Sequence, residues 1–206
     1  MNPKKTLTVI GAGGHARALI ALLSSCNLTA SKVIDASAQL GENILGVPVV
    51  NAEVQDSAAH GFYVLAIGSN TARKRALRHY KGEVYAAPLI HPSAILAMSP
   101  HIGRFCQIFA GAYIGPQAQI GDNVILNTYA IVEHEVSIGD DCHIAVGAKI
   151  LGRAKVGHRC FIGAGAVIKD GVSVCDDVTI GANSFVNEKI DKPGTYVGSP
   201  ARQMKK

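Results

Sequence analysis

The chain has 206 residues and a formal net charge of +5, which allows one extended domain beside a small second domain. Its lysines and arginines are scattered, without the basic stripe and interleaved aromatic residues of nucleic-acid-binding proteins. The first apolar run, Leu7–Ile10, is too short for a signal peptide or a membrane span, so we expect a cytoplasmic protein that binds neither nucleic acid nor membrane. Its modest positive charge suits anionic small molecules such as phosphorylated cofactors.

Residues 1–90 combine predicted strands and helices and are expected to form a small α/β domain. A short apolar strand precedes a glycine turn and a helix with one apolar face, and the same order recurs further along the chain. This alternation predicts a mostly parallel sheet. The predicted elements are strands at Thr6–Ile10, Lys32–Asp35 and Phe62–Ile67 and helices at Ala16–Ser25 and Thr71–Tyr80, with Val84–Leu89 leading into the next domain.

Three polar segments of this domain, Gly11–His15, Asp35 and Gly68–Asn70, end its predicted strands. Ligands of parallel sheets bind beyond the carboxyl ends of the strands, where glycines admit close backbone approach and a helix N-terminus favours phosphate oxygens. An acidic residue about twenty positions after the glycines can bind a ribose hydroxyl. The domain has half the length of a dinucleotide fold, so a mononucleotide or a sugar attached to one fits better; alternatively, the glycines serve turn geometry only. The candidate nucleotide-sugar-binding residues are Gly11, Gly13, Gly14, His15, Asp35, Gly68 and Asn70.

Between residues 91 and 186 an aliphatic side chain recurs at every sixth position, and a compact residue stands two places before each. This period is typical of a parallel β-helix, in which three hexapeptides form one triangular coil. Separate amphipathic strands of a sandwich are the alternative, but they require turns of varying length, and no insertion interrupts the count. The aliphatic residues are Leu96, Ile102, Ile108, Ile114, Ile120, Leu126, Val132, Ile138, Ile144, Ile150, Val156, Ile162, Ile168, Val174, Ile180 and Val186.

Cysteines occupy the compact interior position of this repeat at Cys106, Cys142 and Cys160. There a thiol acts as a small apolar side chain. Because no Cys-x-x-Cys pair is present, neither a disulfide framework nor a zinc site is predicted.

Two polar interruptions of the repeat are candidates for chemistry, the run Glu133-His134-Glu135 and His143. A histidine bound to a carboxylate is a competent general base near neutral pH. An exposed corner histidine beside solvated glutamates is the alternative. No serine or cysteine stands next to His134 as a nucleophile, so a group-transfer reaction at this site is expected to proceed by direct attack of the acceptor rather than through a covalent enzyme intermediate. The donor to the oxyanion of such a reaction would be His143 or the backbone N–H of Gly152.

Small residues stack one coil apart at Ala145–Gly147, Gly163–Gly165 and Gly181–Asn183. They predict a smooth channel beside His143 that suits a thin, flexible ligand arm such as the pantetheine of coenzyme A; alternatively, tight corners simply prefer small residues. Beyond the repeat, Pro193–Arg202 contains two prolines and is expected to cap the open end of the coil. The candidate acetyl-CoA-binding residues are His143, Gly152, Ala164, Ala182 and Arg202.

Several motifs now occur together in a specific order: Val9–His15, Ala66–Asn70, Leu89–Ser93, Asn127–Ile138, His143 and Gly198–Arg202. In this order the chain resembles the bacterial nucleotide-sugar N-acetyltransferases of the bacillosamine and perosamine type. This is a hexapeptide-repeat family to which the sialic acid O-acetyltransferases are related.

The resemblance implies a left-handed β-helix over residues 91–206, a Rossmann-like nucleotide-sugar-binding domain over 1–90, and a homotrimer with active sites between subunits. It implies that His134 is the base, that Glu135 orients it, that His143 lies at the thioester of acetyl-CoA, and that the loop of Arg202 contacts the coenzyme. The implied reaction moves acetyl, without a metal, from acetyl-CoA to the amino group, at C4, of a nucleotide-linked 4-amino-4,6-dideoxy sugar. Many relatives carry a second acidic residue where this chain has Ala36, so recognition of the nucleotide is expected to differ.

Three alternative functions remain open at this stage. The first is O-acetylation of a free sugar acid such as sialic acid, with the same base and donor. The second is a γ-carbonic-anhydrase-like metalloenzyme, although the spacing of His134, His143 and His158 lacks the expected close pair of ligands. The third is a binding solenoid, such as a scaffold or a nucleotide sensor, which needs no channel beside His143.

Overall fold

The structure is a computed structural model that describes residues 5–39, 41–51, 62–79 and 83–205, with the side chain of His79 excepted. It divides into two compact units, Met1–Leu89 and Ile90–Lys206. Tyr80, the end of the second predicted helix, lies outside the described residues.

The N-terminal unit contains a six-stranded sheet in the order β3-β4-β2-β1-β5-β6. Strand β1 lies inside the sheet and pairs in parallel with β2 and β5, as the alternation of strands and helices predicts. Helix α1 buries Ala16, Leu19, Ile20 and Leu23 on one face, at the spacing of an amphipathic helix. The elements are β1 (Thr6–Ile10), α1 (Gly14–Ser25), β2 (Thr29–Ile34), β3 (Asn43–Ile44), β4 (Val47–Val50), β5 (Phe62–Leu65), α2 (Asn70–His79) and β6 (Glu83–Val84).

The sequence did not predict the hairpin of β3 and β4. Strand β4 pairs in parallel with β2 and antiparallel with the two-residue strand β3. Its sequence includes Pro48, which lacks a backbone N–H and weakens the pattern of a strand. Pairing with β2 and burial of Val49 stabilise a strand that local sequence does not favour.

The second unit is a parallel β-helix built from very short strands. Residues one coil apart pair in register, for example Gln107 with Ile125 and Ile125 with His143. Three sheets form the faces of the triangular coil: sheet C (β7, β10, β13, β16, β19, β22, β24 and β25), sheet D (β8, β11, β14, β17, β20 and β23) and sheet E (β9, β12, β15, β18 and β21). The strands are β7 (Leu89–Ile90), β8 (Ile95–Leu96), β9 (His101–Ile102), β10 (Gln107–Ile108), β11 (Tyr113–Ile114), β12 (Gln119–Ile120), β13 (Ile125–Leu126), β14 (Ile131–Val132), β15 (Ser137–Ile138), β16 (His143–Ile144), β17 (Lys149–Ile150), β18 (Lys155–Val156), β19 (Phe161–Ile162), β20 (Val167–Ile168), β21 (Ser173–Val174), β22 (Val178–Ile180), β23 (Phe185–Val186), β24 (Gly194–Val197) and β25 (Arg202–Gln203).

The predicted interior positions form the core of the solenoid. From Ile108 to Val186 each residue of the aliphatic series is buried, whereas Leu96, on the first strand of sheet D, is 39% exposed at the end of the stack. Burial of each such side chain contributes about 2 kcal/mol, so the repeat supplies its own core. The interior thiols also bond to the backbone: Cys106 and Cys142 donate to the carbonyls of Gly121 and Gly157 at 3.1 and 3.0 Å.

The corners of the coil share an unusual backbone conformation. Every sixth residue from Ser99 to Asn183 has a positive φ, and most of these residues are not glycine. The left-handed region costs a non-glycine residue about 1 kcal/mol or more. From Gln117 onward, the backbone N–H of each of these residues donates to a carbonyl of the preceding coil, as Glu135 does to Pro116 at 3.0 Å and Arg153 to His134 at 2.9 Å.

The chain after the repeat extends sheet C rather than leaving it. Strand β24 pairs in parallel with β22, and β25 turns back antiparallel to β24. A cis peptide bond joins Ser199 to Pro200 within the intervening turn. The segment therefore occupies the edge of sheet C that the last coil leaves unpaired.

Candidate active site

His134 and Glu135 lie at the corner between sheets D and E, in the turn that joins β14 to β15. Nδ1 of His134 lies 3.1 Å from Oε2 of Glu135. The carboxylate accepts a hydrogen bond from Nδ1–H, so this contact leaves the lone pair on Nε2. The two side chains are 42% and 52% exposed, so Nε2 is accessible to a substrate.

Gly152 lies directly over the His134 ring, one coil further along the chain. A Cβ atom at Gly152 would stand 2.5 Å from both Cε1 and Nε2 of His134, so only glycine leaves room for the ring. Its neighbours Leu151 and Arg153 both donate backbone hydrogen bonds to other coils, whereas the N–H of Gly152 has no acceptor among the described residues. The structure thus brings the predicted base and the predicted oxyanion donor together.

His143 stands on strand β16 of sheet C and is only 8% exposed. Its Nε2 lies 3.2 Å from Nδ2 of Asn127, and the Asn127 amide is oriented by Thr128, whose N–H donates to Oδ1 at 2.8 Å. Because Nδ2 can only donate, Nε2 of His143 accepts and the ring proton is on Nδ1. Phe161 packs edge-on against the ring, with 5.2 Å between centroids. Asn127 is thus a partner of His143 that was not among the predicted site residues.

Within one solenoid, His134 and His143 lie on opposite sides. His134 is at the corner between sheets D and E, and sheet C, which carries His143, is the face opposite that corner. The small-residue column begins at Ala145, at the corner between sheets C and D. The sequence analysis placed the channel beside His143, and the order of the faces shows that this channel and His134 lie apart in a single chain.

The small residues of the predicted channel have two different explanations. A Cβ atom at Gly163 would stand 2.6 Å from backbone atoms of Ile180 and Ala182, and one at Gly181 would stand 2.7 Å from Val197. Coil packing alone therefore requires Gly163, where the close atoms are backbone, whereas Gly181 faces a side chain of β24. Ala164 and Ala182, in contrast, are exposed. Arg202 is exposed on β25, where its Nη1 donates to the Ala201 carbonyl at 3.0 Å.

In the N-terminal unit, the glycine turn joins β1 to α1. Gly11 has a φ of +101° and its N–H donates to Ile34, so this glycine serves the turn itself. Gly13, Gly14 and Gly68 are different: a Cβ atom at any of them would meet nothing within 4 Å. Gly13 and Gly14 thus leave open space at the start of α1, and Gly68 leaves it in the loop before α2. The first turn of α1 contains no acidic residue and includes the half-buried His15.

Asp35 holds this turn in place. Its carboxylate accepts hydrogen bonds from the N–H of Ala12 at 2.7 Å and from the N–H and hydroxyl of Ser37 at 2.8 and 2.6 Å. Burial opposes ionisation of Asp35, but the bonds from Ser37 and Ala12 outweigh it and hold the pKa of Asp35 below its usual value. Asp35 thus organises the glycine turn, a role that the sequence did not indicate.

Arg73, in α2, is a further organising residue that the sequence analysis missed. Its side chain is fully buried. The guanidinium donates to the carbonyls of Ile67 and Gly68, both at 3.2 Å, and to Oδ1 of Asn70 at 3.1 Å. It therefore fixes the loop that carries two predicted nucleotide-binding residues. An arginine in a basic helix is expected to be exposed to solvent, so nothing in the sequence predicted that Arg73 is buried.

Across residues 5–39, 41–51, 62–79 and 83–205, no group of three or more His, Cys, Asp or Glu residues is arranged to hold a metal ion. In the same ranges, neither helix has the length and apolar character to cross a membrane.

Family models match both units of the chain. The "PglD N-terminal domain" model covers residues 6–80, the "Bacterial transferase hexapeptide (six repeats)" model covers 99–134 and 118–152, and the "Hexapeptide repeat of succinyl-transferase" model covers 153–188. A search of curated proteins found no match.

Solved structures match over almost the whole chain. PerB from Caulobacter crescentus, in complex with CoA and GDP-perosamine, has 30% identity and a TM-score of 0.88 over 98% of this chain and 97% of that one. The acetyltransferase domain of PglB from Neisseria gonorrhoeae FA1090 has 27% identity and a TM-score of 0.88 over 98% of this chain and 100% of that one. A second structure of that domain contains acetyl coenzyme A.

The fold and the site together define a hexapeptide-repeat acyltransferase with a left-handed parallel β-helix and an α/β N-terminal unit. More particularly, the chain belongs to the nucleotide-sugar N-acetyltransferases of the hexapeptide-repeat family. The predicted fold, family and class of enzyme are thereby confirmed.

Proposed function

We propose that this enzyme transfers acetyl from acetyl-CoA to the amino group at C4 of a nucleotide-linked 4-amino-4,6-dideoxy sugar. The neighbour most informative about the acceptor has CoA and GDP-perosamine bound, and the acetyltransferase domain of PglB binds acetyl coenzyme A. The observation that carries the proposal is the His134–Glu135 pair, whose free Nε2 lies over Gly152. A base and a backbone donor at one point are what acyl transfer to an amine requires.

His134 acts as the general base in this proposal. Glu135 accepts a hydrogen bond from Nδ1–H and so keeps the Nε2 lone pair available to the amine, which loses a proton as it attacks the thioester carbon. The N–H of Gly152 is placed to stabilise the developing oxyanion. Replacement of His134 by alanine is expected to reduce kcat by about 10²–10⁴-fold. Nearly full turnover in that variant would remove the assignment.

The N-terminal unit binds the nucleotide in this proposal. Open space at Gly13, Gly14 and Gly68 supports close approach of a ligand to the backbone, and the start of α1 suits phosphate oxygens. Asp35 orients the turn, with oxygen lone pairs left for a ribose hydroxyl. Asp35→Ala is expected to raise KM for the sugar nucleotide much more than KM for acetyl-CoA, and equal effects on both would refute the nucleotide role.

The active enzyme is a homotrimer with shared sites in this proposal. His134 and His143 lie on opposite sides of one solenoid, so a site that uses both must join two chains. Two different surfaces in contact form a heterologous interface, which closes into a ring. The outer side of sheet D supports such a contact, because it carries Ile95, 59% exposed, and the half-buried Ile131 and Phe185.

Shared sites can be tested by mixing two inactive variants, His134→Ala and His143→Ala. If each site takes one histidine from each of two chains, co-assembly restores both histidines in about one quarter of the sites. We expect acetyl transfer to return to about 25% of the wild-type rate after co-expression, with trimers identified by light scattering. Mixed trimers that remain inactive would contradict the shared site.

The substrate class is tested by an acetyl-CoA consumption assay with mass spectrometry of the products. Nucleotide-linked 4-amino sugars that differ in base and in stereochemistry form the panel, together with matched hydroxyl acceptors and free sialic acid. We expect one acetyl group on the amine of a nucleotide-linked sugar. Acetylation of the hydroxyl acceptors alone would replace this proposal with sugar O-acetylation.

A further inference from the structure

One carboxylate near His134 has no role in the mechanism above. Residues at the corner between sheets D and E stack one coil apart, and this places Asp170 beyond Gly152 on the side away from His134. A Cβ atom at Gly152 would stand 2.5 Å from Nε2 of His134 and 3.0 Å from Oδ2 of Asp170. The ring nitrogen and the carboxylate oxygen therefore face the same gap, which exists because residue 152 has no side chain.

The two oxygens of Asp170 have different surroundings. Oδ1 lies 2.6 Å from Nη2 of Arg153, which holds the carboxylate in one orientation. Oδ2 faces the gap above Gly152 and accepts no hydrogen bond from the residues that the structure describes. The Asp170 side chain is 42% exposed, so water stabilises its charge until a substrate displaces it. Asp170 thus offers an oriented acceptor beside the base.

Amines and hydroxyls differ in the number of hydrogens that a second acceptor can hold. When a neutral amine attacks, the nitrogen–carbon bond forms and the carbon–sulfur bond breaks. One amine proton passes to Nε2 of His134 and then to the CoA thiolate, which leaves as the thiol. The other hydrogen stays on nitrogen in the amide product. An attacking hydroxyl gives its single proton to the base and has none left for a second acceptor.

We propose that Asp170 is a specificity-determining residue that accepts the retained N–H of the sugar amine through Oδ2. The proposal rests on the proposed function, with His134 as the base. When one N–H of the amine donates to Nε2 of His134 and the other donates to Oδ2 of Asp170, the lone pair of the amine nitrogen points at the thioester carbon. Asp170 thereby selects amine acceptors over hydroxyl acceptors of the same shape, because a hydroxyl leaves Oδ2 without a donor.

The test compares two substrates, the nucleotide-linked 4-amino sugar and its analogue with a hydroxyl at that carbon. Asp170→Ala is expected to lower kcat/KM for the amine by about 10–100-fold, the effect of one hydrogen bond to a charged group. In the same variant, the turnover of the hydroxyl analogue, or its inhibition constant, should change by less than about threefold. Asp170→Asn, which keeps the shape but loses the charge, should lie between alanine and wild type.

Arg153→Ala is the matched control, because it removes the ion pair of Asp170 but keeps Oδ2. Because Oδ2 remains but is no longer held in one orientation, this variant should keep a clear preference for the amine, larger than that of Asp170→Ala and at most equal to that of wild type. Thermal unfolding should show that each variant is folded. Equal losses on both substrates, or no loss on the amine, would overturn the role of Asp170. Failure of the proposed function has a different signature: wild-type enzyme that does not acetylate the amine, or His134→Ala that does. If wild type is active and depends on His134 while Asp170→Ala is unchanged, only the Asp170 proposal fails.

Discussion

The exposure of the His134–Glu135 pair predicts that its two members contribute very unequally to catalysis. The side chains are 42% and 52% exposed, and an ion pair at such a site contributes about 0.2–1 kcal/mol. When His134 becomes positively charged in the transition state, loss of the Glu135 carboxylate should therefore slow kcat only about 2–5-fold. Loss of the base itself should cost about 10²–10⁴-fold.

The variants are His134→Ala, Glu135→Ala and Glu135→Gly, measured by release of the CoA thiol at saturating substrates. Glu135 has a φ of +59°, so glycine removes its carboxylate without backbone strain and separates the chemical effect from a change at the corner. Glu133→Ala is the control, since Glu133 belongs to the same run but makes no hydrogen bond to His134 among the described residues. A loss above about 100-fold in both Glu135 variants would refute this reasoning and would indicate a pair that is dry in the assembled enzyme.

Three further predictions concern the two units separately. Gly163→Ala should lower the free energy of unfolding by about 2–3 kcal/mol, because its Cβ atom would meet backbone of the next coil. Gly171→Ala, with φ +71° but open space, should cost only about 1 kcal/mol of backbone strain, and equal losses in chemical denaturation would contradict the packing argument. Asp35→Asn should remove stability of the N-terminal unit that wild type retains at neutral pH and loses as the pH falls through the lowered pKa of Asp35. The melting temperatures of the two proteins should therefore converge once the pH lies below that pKa, and a difference that stays constant with pH would argue against ionised Asp35. Arg73→Met should raise KM for the sugar nucleotide with kcat and KM for acetyl-CoA unchanged, because it releases the loop at Gly68; an unchanged KM would show that this loop does not bind the nucleotide.

The sequence predicted the solenoid more completely than the N-terminal unit. In the solenoid, the interior position of the aliphatic residues could be predicted from the repeat, because stacked coils give every sixth residue the same surroundings. In the N-terminal unit, β1 was predicted with its observed bounds, while the hairpin of β3 and β4 was missed because its stability comes from pairing with β2. The positive φ angles at the corners were also not predicted, because residue types such as Phe105, Gln117 and Arg153 do not favour that backbone conformation.

The sequence by itself determined the solenoid, its core and the identity of the candidate base, because periodic burial and the pairing of a histidine with a neighbouring carboxylate are properties of residues close in the chain. Only the tertiary structure decided which distant groups share a site. It placed Asp170 next to Gly152, put His143 on the face opposite His134, and buried Arg73 beneath the Gly68 loop. These contacts depend on which faces the coils and helices present to one another. A sequence pattern does not determine the direction of a side chain relative to residues that are distant in the chain.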